Sequence, residues 1–404
     1  MAKSRIHVGL EIGTTKTVMV VAEAKPDGSV KILGLGECKS AGVRKGEIVD
    51  FMQIKVCVKA ALLDAEDASD VEINSVFLAV TGSHITGENN IGTYRLPENE
   101  STVAQEHVDE VKEIAAGLQL PNNHVYLHNL VRHYNLDGQQ HMDSPVGLSG
   151  RTLEADFHIV HGVETRVQNS IKCVRETPLD VDDIVFAPVA SAQVALNKER
   201  KDGGALVIDI GGGTTDFILY VEGAIAATGC VPVGGDHVTN DIHLVTNIPL
   251  SKAEKVKVTE VDVSGDPAKS VGSIRLTDDK GFPDVELQRQ LINEVGRARL
   301  EEAFELVNSS LPEGWREHVG SGVFLTGGSS LMRGIKDLAS DVFQLQIFRP
   351  ERPDISGVHA YFKDPQYSTA LGLIRFAQYV DQERPERNGG LGTFLKALLP
   401  FSGS

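Results

Sequence analysis

The sequence has little of what would mark a secreted, metal-caged or nucleic-acid-binding protein. It carries four cysteines in 404 residues, Cys38, Cys57, Cys173 and Cys230, with no CxxC pair. That excludes a disulfide framework and a cysteine zinc cage, and fits a reducing cytosol. Basic residues are outnumbered, 39 Lys and Arg against 56 Asp and Glu, for a net charge of −17. Nucleic-acid phosphates need a basic face, so no nucleic-acid partner is expected. No run reaches the roughly 18 apolar residues of a membrane span. The opening "MAKSRIHVGL" has no apolar signal core before Glu11. The expectation is therefore a cytoplasmic protein that is not secreted. Histidines are present, among them His124, His128, His133 and His141, without a consistent ligand spacing or clustered acids. They read as surface or hydrogen-bonded residues, and a metal site on them is not expected.

What the chain does have is length and a repeat. Its size calls for two domains or more. Gly9 to Val21, "GLEIGTTKTVMVV", returns at Leu206 to Val221 as "LVIDIGGGTTDFILYV". Each copy is an apolar strand, an acid, a Gly/Thr turn and a second apolar strand. Small residues in such a turn let backbone N–H groups approach a phosphate closely. The acid at the strand end faces the same crevice, where it can hold Mg²⁺. The first unit offers Gly13, Thr14, Thr15 and Lys16 behind Glu11. The second offers Gly211, Gly212, Gly213, Thr214 and Thr215, with Asp209 before them and Asp216 after. Two copies in matching contexts predict two related α/β domains closing on one polyphosphate. Two ordinary hairpins with glycine turns are the alternative. Asp209 is the better metal candidate, and Glu11, one methylene longer, is the second.

Two further stretches fit that crevice. "VFLTGGSSL", Val323 to Leu331, reads as a strand delivering Gly327 and Gly328 to a helix start. There a flat base and sugar can lie on bare backbone. In "PLSKAEKVK", Glu254 and Lys257 lie one helical turn apart and can both reach a ribose or adenine. Ser251 and Glu254 also have the spacing of a capping box, and the two readings weigh equally.

Elsewhere, strands alternate with helices, as in an α/β fold. Strands are expected at Ile6–Ile12, Val18–Ala24, "VKILGLGEC" and "NSVFLAV", and a helix from about Met52 to Leu63. The texture changes over 84–163, where strands flank a helix with a Val108, Val111, Ala115 and Leu118 stripe. Thr102 and Gln105 fit a capping box for that helix. This reads as a small α+β insertion with its own sheet. The α/β pattern then resumes, and 236–316 is more helical, with "DVELQRQLINEVGRARLEEAFELVNSSL" as a long helix or helix pair.

Two phosphate turns and a Gly-Gly turn in this order resemble the actin-like ATPase superfamily. "PVASAQVAL" and "STALGLIRF" resemble its two connecting helices at the hinge. Within it, "GLEIGTTKT", "GVRKGEIVDF", "AVTGSHITGENNIG" and "VPVGGDHVTNDIHLVTNIPLSKAEKVK" resemble the FtsA family of bacterial cell-division proteins, over roughly residues 5–380. The resemblance implies an actin-like fold whose first domain carries an inserted SHS2-type subdomain at 84–163. It implies a first domain at 1–83, 164–201 and 369–380, and a second at 202–235 and 317–368 with a helical subdomain at 236–316. It implies ATP and Mg²⁺ as cofactors and adds Gly235 and Ser329 to the nucleotide site. It implies actin-like filaments at the inner membrane near the septum, a tether for the FtsZ C-terminal peptide, and contacts with later division proteins. Arg299 and Glu302 occupy positions resembling the docking helix; a solvated i,i+3 ion pair is the alternative. Chaperone-like and bacterial actin-like relatives place a water-positioning Glu before the Pro of the first connecting helix, where this chain has Ala187. The expectation is ATP binding with slow hydrolysis.

"DQERPERNGG", 381–390, reads as a linker. After it Leu391, Phe394, Leu395, Leu398 and Leu399 form one helical stripe that stops at Pro400. The stripe is too short to cross a bilayer or to be stable alone, so it needs a surface. A membrane interface and the protein's own domain are the two surfaces available. The resemblance favours the membrane. Lys396 is the tail's sole cation, so polymerisation would have to supply avidity. Two other functions share the superfold: a small-molecule kinase, with Asp216 as its catalytic acid, and a pilus-assembly adaptor. The insertion and the tail argue against the kinase, and "GGDHVTNDI" with the terminal helix against the adaptor.

Overall fold

The repeated sequence unit folds as a repeated hairpin. Strand β1 (Arg5–Ile12) turns back on β2 (Lys16–Ala24), and β12 (Ala205–Ile210) on β13 (Thr215–Val221). The computed structural model describes residues 4–383 apart from residue 26 and segments 278–283, 351–354 and 358–363. The tail at 391–404 and most of the linker lie outside the described residues.

Each hairpin gains an antiparallel strand on one side, β3 (Val30–Lys39) or β14 (Ala224–Val231). On the other side it gains two parallel strands. These are β6 (Ser75–Val80) and β11 (Asp180–Phe186) in the first lobe, and β17 (Val323–Thr326) and β18 (Ile347–Phe348) in the second. The order β3-β2-β1-β6-β11 therefore recurs as β14-β13-β12-β17-β18. The first sheet also takes β19 (Ile355–Gly357) beside β3. This is the α/β actin-like fold of two related domains.

Parallel neighbours need crossovers, and helices supply them. Helix α1 (Phe51–Ser69) starts where the Asp50 side chain accepts from the Gln53 N–H at 3.0 Å. It runs beyond Leu63 because Ala65 still faces the core, and it stops at Asp70 in a left-handed conformation. Strand alternation sorts β2: Met19 and Val21 pack with Ile54, Val58 and Ala61 of α1. Val18, Val20 and Ala22 pack on the other face with Leu371 and Ile374 of α10 (Ser368–Glu383). Helix α4 (Ala187–Ala195) follows β11 and leads through α5 (Lys198–Asp202) into the second lobe; α10 returns from it. The two cross closely at Gly372, where a Cβ would lie 2.0 Å from the Ala190 carbonyl.

The insertion spans β7 (Ile85–Arg95), α2 (Gln105–Ala116), β8 (His124–Leu136), β9 (Gln139–Met142) and β10 (Thr152–Val163). Its strand order is β7-β10-β8-β9, and Val108, Val111 and Ala115 of α2 join Leu153, Phe157 and Ile159 in a separate core. Helix α3 (Glu164–Arg175) brings the chain back to the first lobe. The capping box expected from Thr102 and Gln105 does not form. The cap is Ala104, whose N–H donates to the His107 ring at 3.1 Å, while Thr102 bridges to Ser149.

The helical region holds α6 (Gly235–Thr246), α7 (Leu250–Thr259) and α8 (Arg289–Ser309), then α9 (Ile335–Phe343) follows β17. Val238, Ile242, Val256, Leu300 and Phe304 anchor it on the second sheet. The expected long helix starts late. Val285–Gln288 forms β16, paired with β15 (Ser273–Leu276), so the helical pattern holds only from Arg289.

Candidate functional site

The two hairpin turns face each other across the cleft between the lobes, and their glycines let them touch. A Cβ on Gly212 would sit 2.0 Å from Thr15 Oγ1, and one on Gly213 2.4 Å from Thr14 Oγ1. Around them lies a cavity of ≈ 350 Å³. Gly13, Thr14, Thr15 and Lys16 line it from the first lobe, and Gly211 to Thr214 from the second. Gly327, Gly328 and Ser329 form a further wall, and Glu254 and Lys257 line the α7 side.

Four expectations change in detail. Thr215 does not line the cavity. Strand alternation turns it inward, where its hydroxyl donates to the Val233 carbonyl at 2.8 Å. Glu254 does not cap a helix, because α7 starts after Pro249 and Ser251 lies inside it. Glu254 instead accepts from the Thr239 hydroxyl and pairs with the Lys257 ammonium at 2.7 Å. Gly327 and Gly328 deliver a short 3₁₀ turn, Gly328–Leu331, and helix α9 begins only at Ile335. Gly235, also expected in the site, does not line the cavity but backs two residues that do: its carbonyl accepts from Lys257 Nζ at 3.2 Å, and a Cβ there would meet Ser329 Oγ at 2.4 Å.

Three carboxylates converge in the cleft. The strand registers put Glu11 opposite Val18 and Asp209 opposite Asp216, so the second hairpin supplies two acids to the first one's single acid. Burial, then the neighbouring Asp209 charge, pushes Glu11 up to about 8. Burial, then Asp216, pushes Asp209 up to about 7, and burial pushes Asp216 up to about 6. Glu11 Oε2 is buried without a hydrogen-bond partner. So is Lys16 Nζ, which sits 3.4 Å above the Tyr367 ring and 3.8 Å from Glu37. Burial lowers the Lys16 pKa.

Several wall residues escaped the sequence reading. The Thr81 hydroxyl donates to Asp216 Oδ1 at 2.5 Å, joining the lobes. Gly46, Asp236, Gln366 and Thr369 also line the cavity. The duplication carried a usable signal for Thr81. Strand β6 holds in the first lobe the place of β17 in the second, so both strand ends open on one cleft. Ala187 also lines the cavity.

The histidines lie elsewhere. His128 Nε2 accepts from the Phe186 N–H at 2.9 Å, His124 and His161 share a 2.8 Å hydrogen bond, and His133 stacks on His141. Among the described residues no group of three or more His, Cys, Asp or Glu is arranged to hold a metal ion. Arg299 and Glu302 also stand apart from the cleft. They are ion-paired, Arg299 binds Asp241 at 2.6 Å as well, and all three rim a groove with Leu244, Val245 and Val295.

Comparison with known proteins decides the lineage. The family model described as cell division protein FtsA matches residues 206–372, and that of the SHS2 domain inserted in FtsA matches 82–161. Cell division protein FtsA of Escherichia coli (strain K12) is 35% identical over 382 residues, 93% of this chain and 90% of that protein. The chain belongs to the FtsA family of cell-division proteins. FtsA of Pseudomonas aeruginosa is 34% identical over 373 residues, 92% of this chain and 89% of its own length. A solved PilM-PilN type IV pilus biogenesis complex matches at TM-score 0.64 and 18% identity, over 98% of this chain and 99% of that one. MreB5 of Spiroplasma citri bound to ADP matches at TM-score 0.53 and 17% identity, over 95% and 99%. These two likenesses speak for the actin-like fold. Within it, the family matches set aside the kinase and pilus-adaptor alternatives. Among the described residues no helix is long and apolar enough to cross a membrane.

Proposed function

We propose that the cleft binds ATP with Mg²⁺ and that nucleotide-bound copies assemble into actin-like filaments on the inner membrane at the septum. The observation that carries this is the pairing of two glycine cradles with two unsatisfied buried groups, Glu11 Oε2 and Lys16 Nζ. Lys16 offsets only part of the charge of the three buried acids, and neither Glu11 Oε2 nor Lys16 Nζ has a hydrogen-bond partner, so a further cation at the acids and a hydrogen-bonding anion at the ammonium are both favoured. The phosphates of a nucleotide with its metal supply both. Mg²⁺ commonly takes one or two protein carboxylates and completes its shell with phosphates and water, which fits Glu11 and Asp209 without a larger ligand cluster. Bound there, it would neutralise phosphate charge. Turns Gly13–Lys16 and Gly211–Thr214 hold the phosphates, with Gly235, Glu254, Lys257, Gly327, Gly328 and Ser329 around the nucleoside. Ala187 stands where a water-orienting carboxylate would be, so the site holds nucleotide more than it turns it over. Equilibrium binding of a fluorescent ATP analogue, with and without Mg²⁺, tests the site. No Mg²⁺-dependent binding overturns it, and single-turnover hydrolysis at chaperone speed overturns the slow-turnover part.

The division role then divides by surface. The groove at Asp241, Leu244, Val295 and Arg299 takes the FtsZ C-terminal peptide, since it offers apolar floor and charged rim together. The stripe of Leu391, Phe394, Leu395, Leu398 and Leu399 anchors the filament to lipid, and the insertion meets later division proteins. Liposome sedimentation with and without 391–404 tests the anchor; equal pelleting overturns it.

A further inference from the structure

The stretch "GVRKGEIVDF" gives the cavity one wall residue, Gly46, and folds against both glycine turns. It forms a small hairpin of β4 (Val43–Arg44) and β5 (Glu47–Ile48). The two residues between them, Lys45 (φ 52°) and Gly46 (φ 76°), both have left-handed backbones, the requirement of a tight hairpin turn. The Gly46 N–H donates to Thr14 Oγ1 of the first phosphate turn at 3.1 Å. A Cβ on Gly213 of the second turn would lie 3.0 Å from Lys45 Cα. A Cβ on Gly46 would meet Thr81 Cγ2 at 2.9 Å and Thr214 Cγ2 at 3.2 Å. The hairpin therefore packs against both glycine turns and brings Gly46 into the cavity wall, with Lys45 just outside it.

It also holds the insertion at both ends. A Cβ on Gly82, where the insertion departs, would sit 3.3 Å from Glu47 Cγ. The Glu47 carboxylate accepts from the Arg166 guanidinium at 2.6 Å, just past the insertion's last strand. Lys45 itself is exposed and makes no ion pair with any described carboxylate. Its charge reaches His237 at the start of α6, next to Asp236 in the cavity wall. An unpaired ammonium on a turn clamped between two phosphate cradles suits an anion placed beyond them.

We propose that the Lys45–Gly46 turn contacts the terminal phosphate of a bound nucleoside triphosphate, so that the hairpin seats the insertion differently in the triphosphate and diphosphate states. This rests on the nucleotide reading of the cleft. On this proposal a diphosphate held by the same two turns would lack the phosphate that Lys45 meets, so the contact would discriminate between the two nucleotides.

Affinities of fluorescent ATP and ADP analogues with Mg²⁺, measured on the full chain, separate the two claims. Lys45→Ala is expected to weaken ATP about tenfold, the size of one lost hydrogen bond to a charged group, and to leave ADP within about twofold. Lys45→Arg, which keeps the charge, is expected to retain most of the preference. Hydrogen exchange over 85–95 and 164–175 is expected to differ between AMPPNP and ADP in the wild type and to lose that difference in Lys45→Ala. Equal losses for both nucleotides, or no loss for either, overturn the inference while leaving the cleft a nucleotide site. A wild-type protein that binds neither nucleotide overturns the reading of the cleft itself.

Discussion

The Thr369 hydroxyl donates to Asp209 Oδ2 at 3.0 Å, tying the first turn of α10 to the strand end of the second lobe. The next residue, Ala370, hydrogen-bonds Glu11 through its backbone. One helix start thus holds an acid from each half of the duplicated fold. The Thr369 bond favours the charged form of Asp209 against the burial that raises its pKa. Thr369→Val keeps the shape and removes the donor. It is expected to weaken Mg²⁺-dependent ATP binding at neutral pH by about tenfold, with Thr369→Ser restoring most of it. Mg²⁺ titrations of analogue binding check this, and an unchanged midpoint in Thr369→Val counts against it.

The same acids set a pH dependence. Burial and then the neighbouring acid, Asp209 for Glu11 and Asp216 for Asp209, raise Glu11 to about 8 and Asp209 to about 7. An acid raised in the folded state binds more protons there than in the unfolded chain, so the nucleotide-free protein loses stability as pH climbs to the folded pKa. Buried histidines act oppositely at lower pH. Burial lowers His84 and His128 to about 4 and His158 to about 3, so they add stability as pH rises towards their unfolded value near 6.5. Above that value they are neutral in both states and the acids alone decide. The apo melting temperature is expected to fall between about pH 6.5 and 8. Glu11→Gln or Mg²⁺ with ATP is expected to flatten the slope. Thermal scans across that window measure it; a rising melting temperature would refute the assignment.

The groove on α6 and α8 makes a third case. Arg299 lies between Asp241 and Glu302 and neutralises both. Arg299→Glu places three carboxylates on one rim and is expected to abolish binding of the FtsZ C-terminal peptide. The rim is partly exposed, so the stability cost is expected to stay near 1 kcal/mol. Leu244→Ser, at a 61% exposed apolar position, is expected to weaken the peptide without a change in melting. Fluorescence anisotropy with a labelled peptide tests both, and wild-type affinity in both variants would clear the groove of the role.

The fold was legible because its signals are local and doubled. Strand, acid, turn and strand recur at Gly9–Val21 and Leu206–Val221, and each copy became the same hairpin at the same place in its sheet. The two glycine turns were legible for that reason, as was the α10 helix from "STALGLIRF". The failures are places where a partner distant in sequence decides. Ser251 and Glu254 have capping spacing, but Pro249 starts the helix and Thr239 claims the carboxylate. Thr102 lost its cap to His107. Thr81 and Thr369 lie inside the stretches "AVTGSHITGENNIG" and "STALGLIRF", Tyr367 in neither, and no local spacing marks any of the three as a site residue. They matter because tertiary packing sets them against Asp216, Asp209 and Lys16. The Lys45–Gly46 turn was read only as part of a family stretch, since nothing local says it meets Gly213.

The insertion is fastened to the second lobe by a buried histidine, and that gives the last expectation. His158 on β10 bonds Asn89 Oδ1 through Nδ1 at 2.6 Å and Thr228 Oγ1 on β14 through Nε2 at 2.9 Å. The Asn89 amide donates onward to the Ala226 carbonyl at 3.0 Å. An amide oxygen only accepts, so Nδ1 carries the proton and Nε2 accepts from the threonine hydroxyl. The ring must be neutral for this, in line with the low pKa that burial gives it. His158→Ala leaves Asn89 and Thr228 without these partners and opens a cavity, for an expected loss of about 2–4 kcal/mol. His158→Asn, which has a donor and an acceptor on a shorter chain, is expected to recover part of it. Denaturant unfolding gives the size. Limited proteolysis gives the location: cleavage is expected to rise first within 85–163. Unchanged insertion cleavage in His158→Ala would show that other contacts across β7 and β14 hold the subdomain in place.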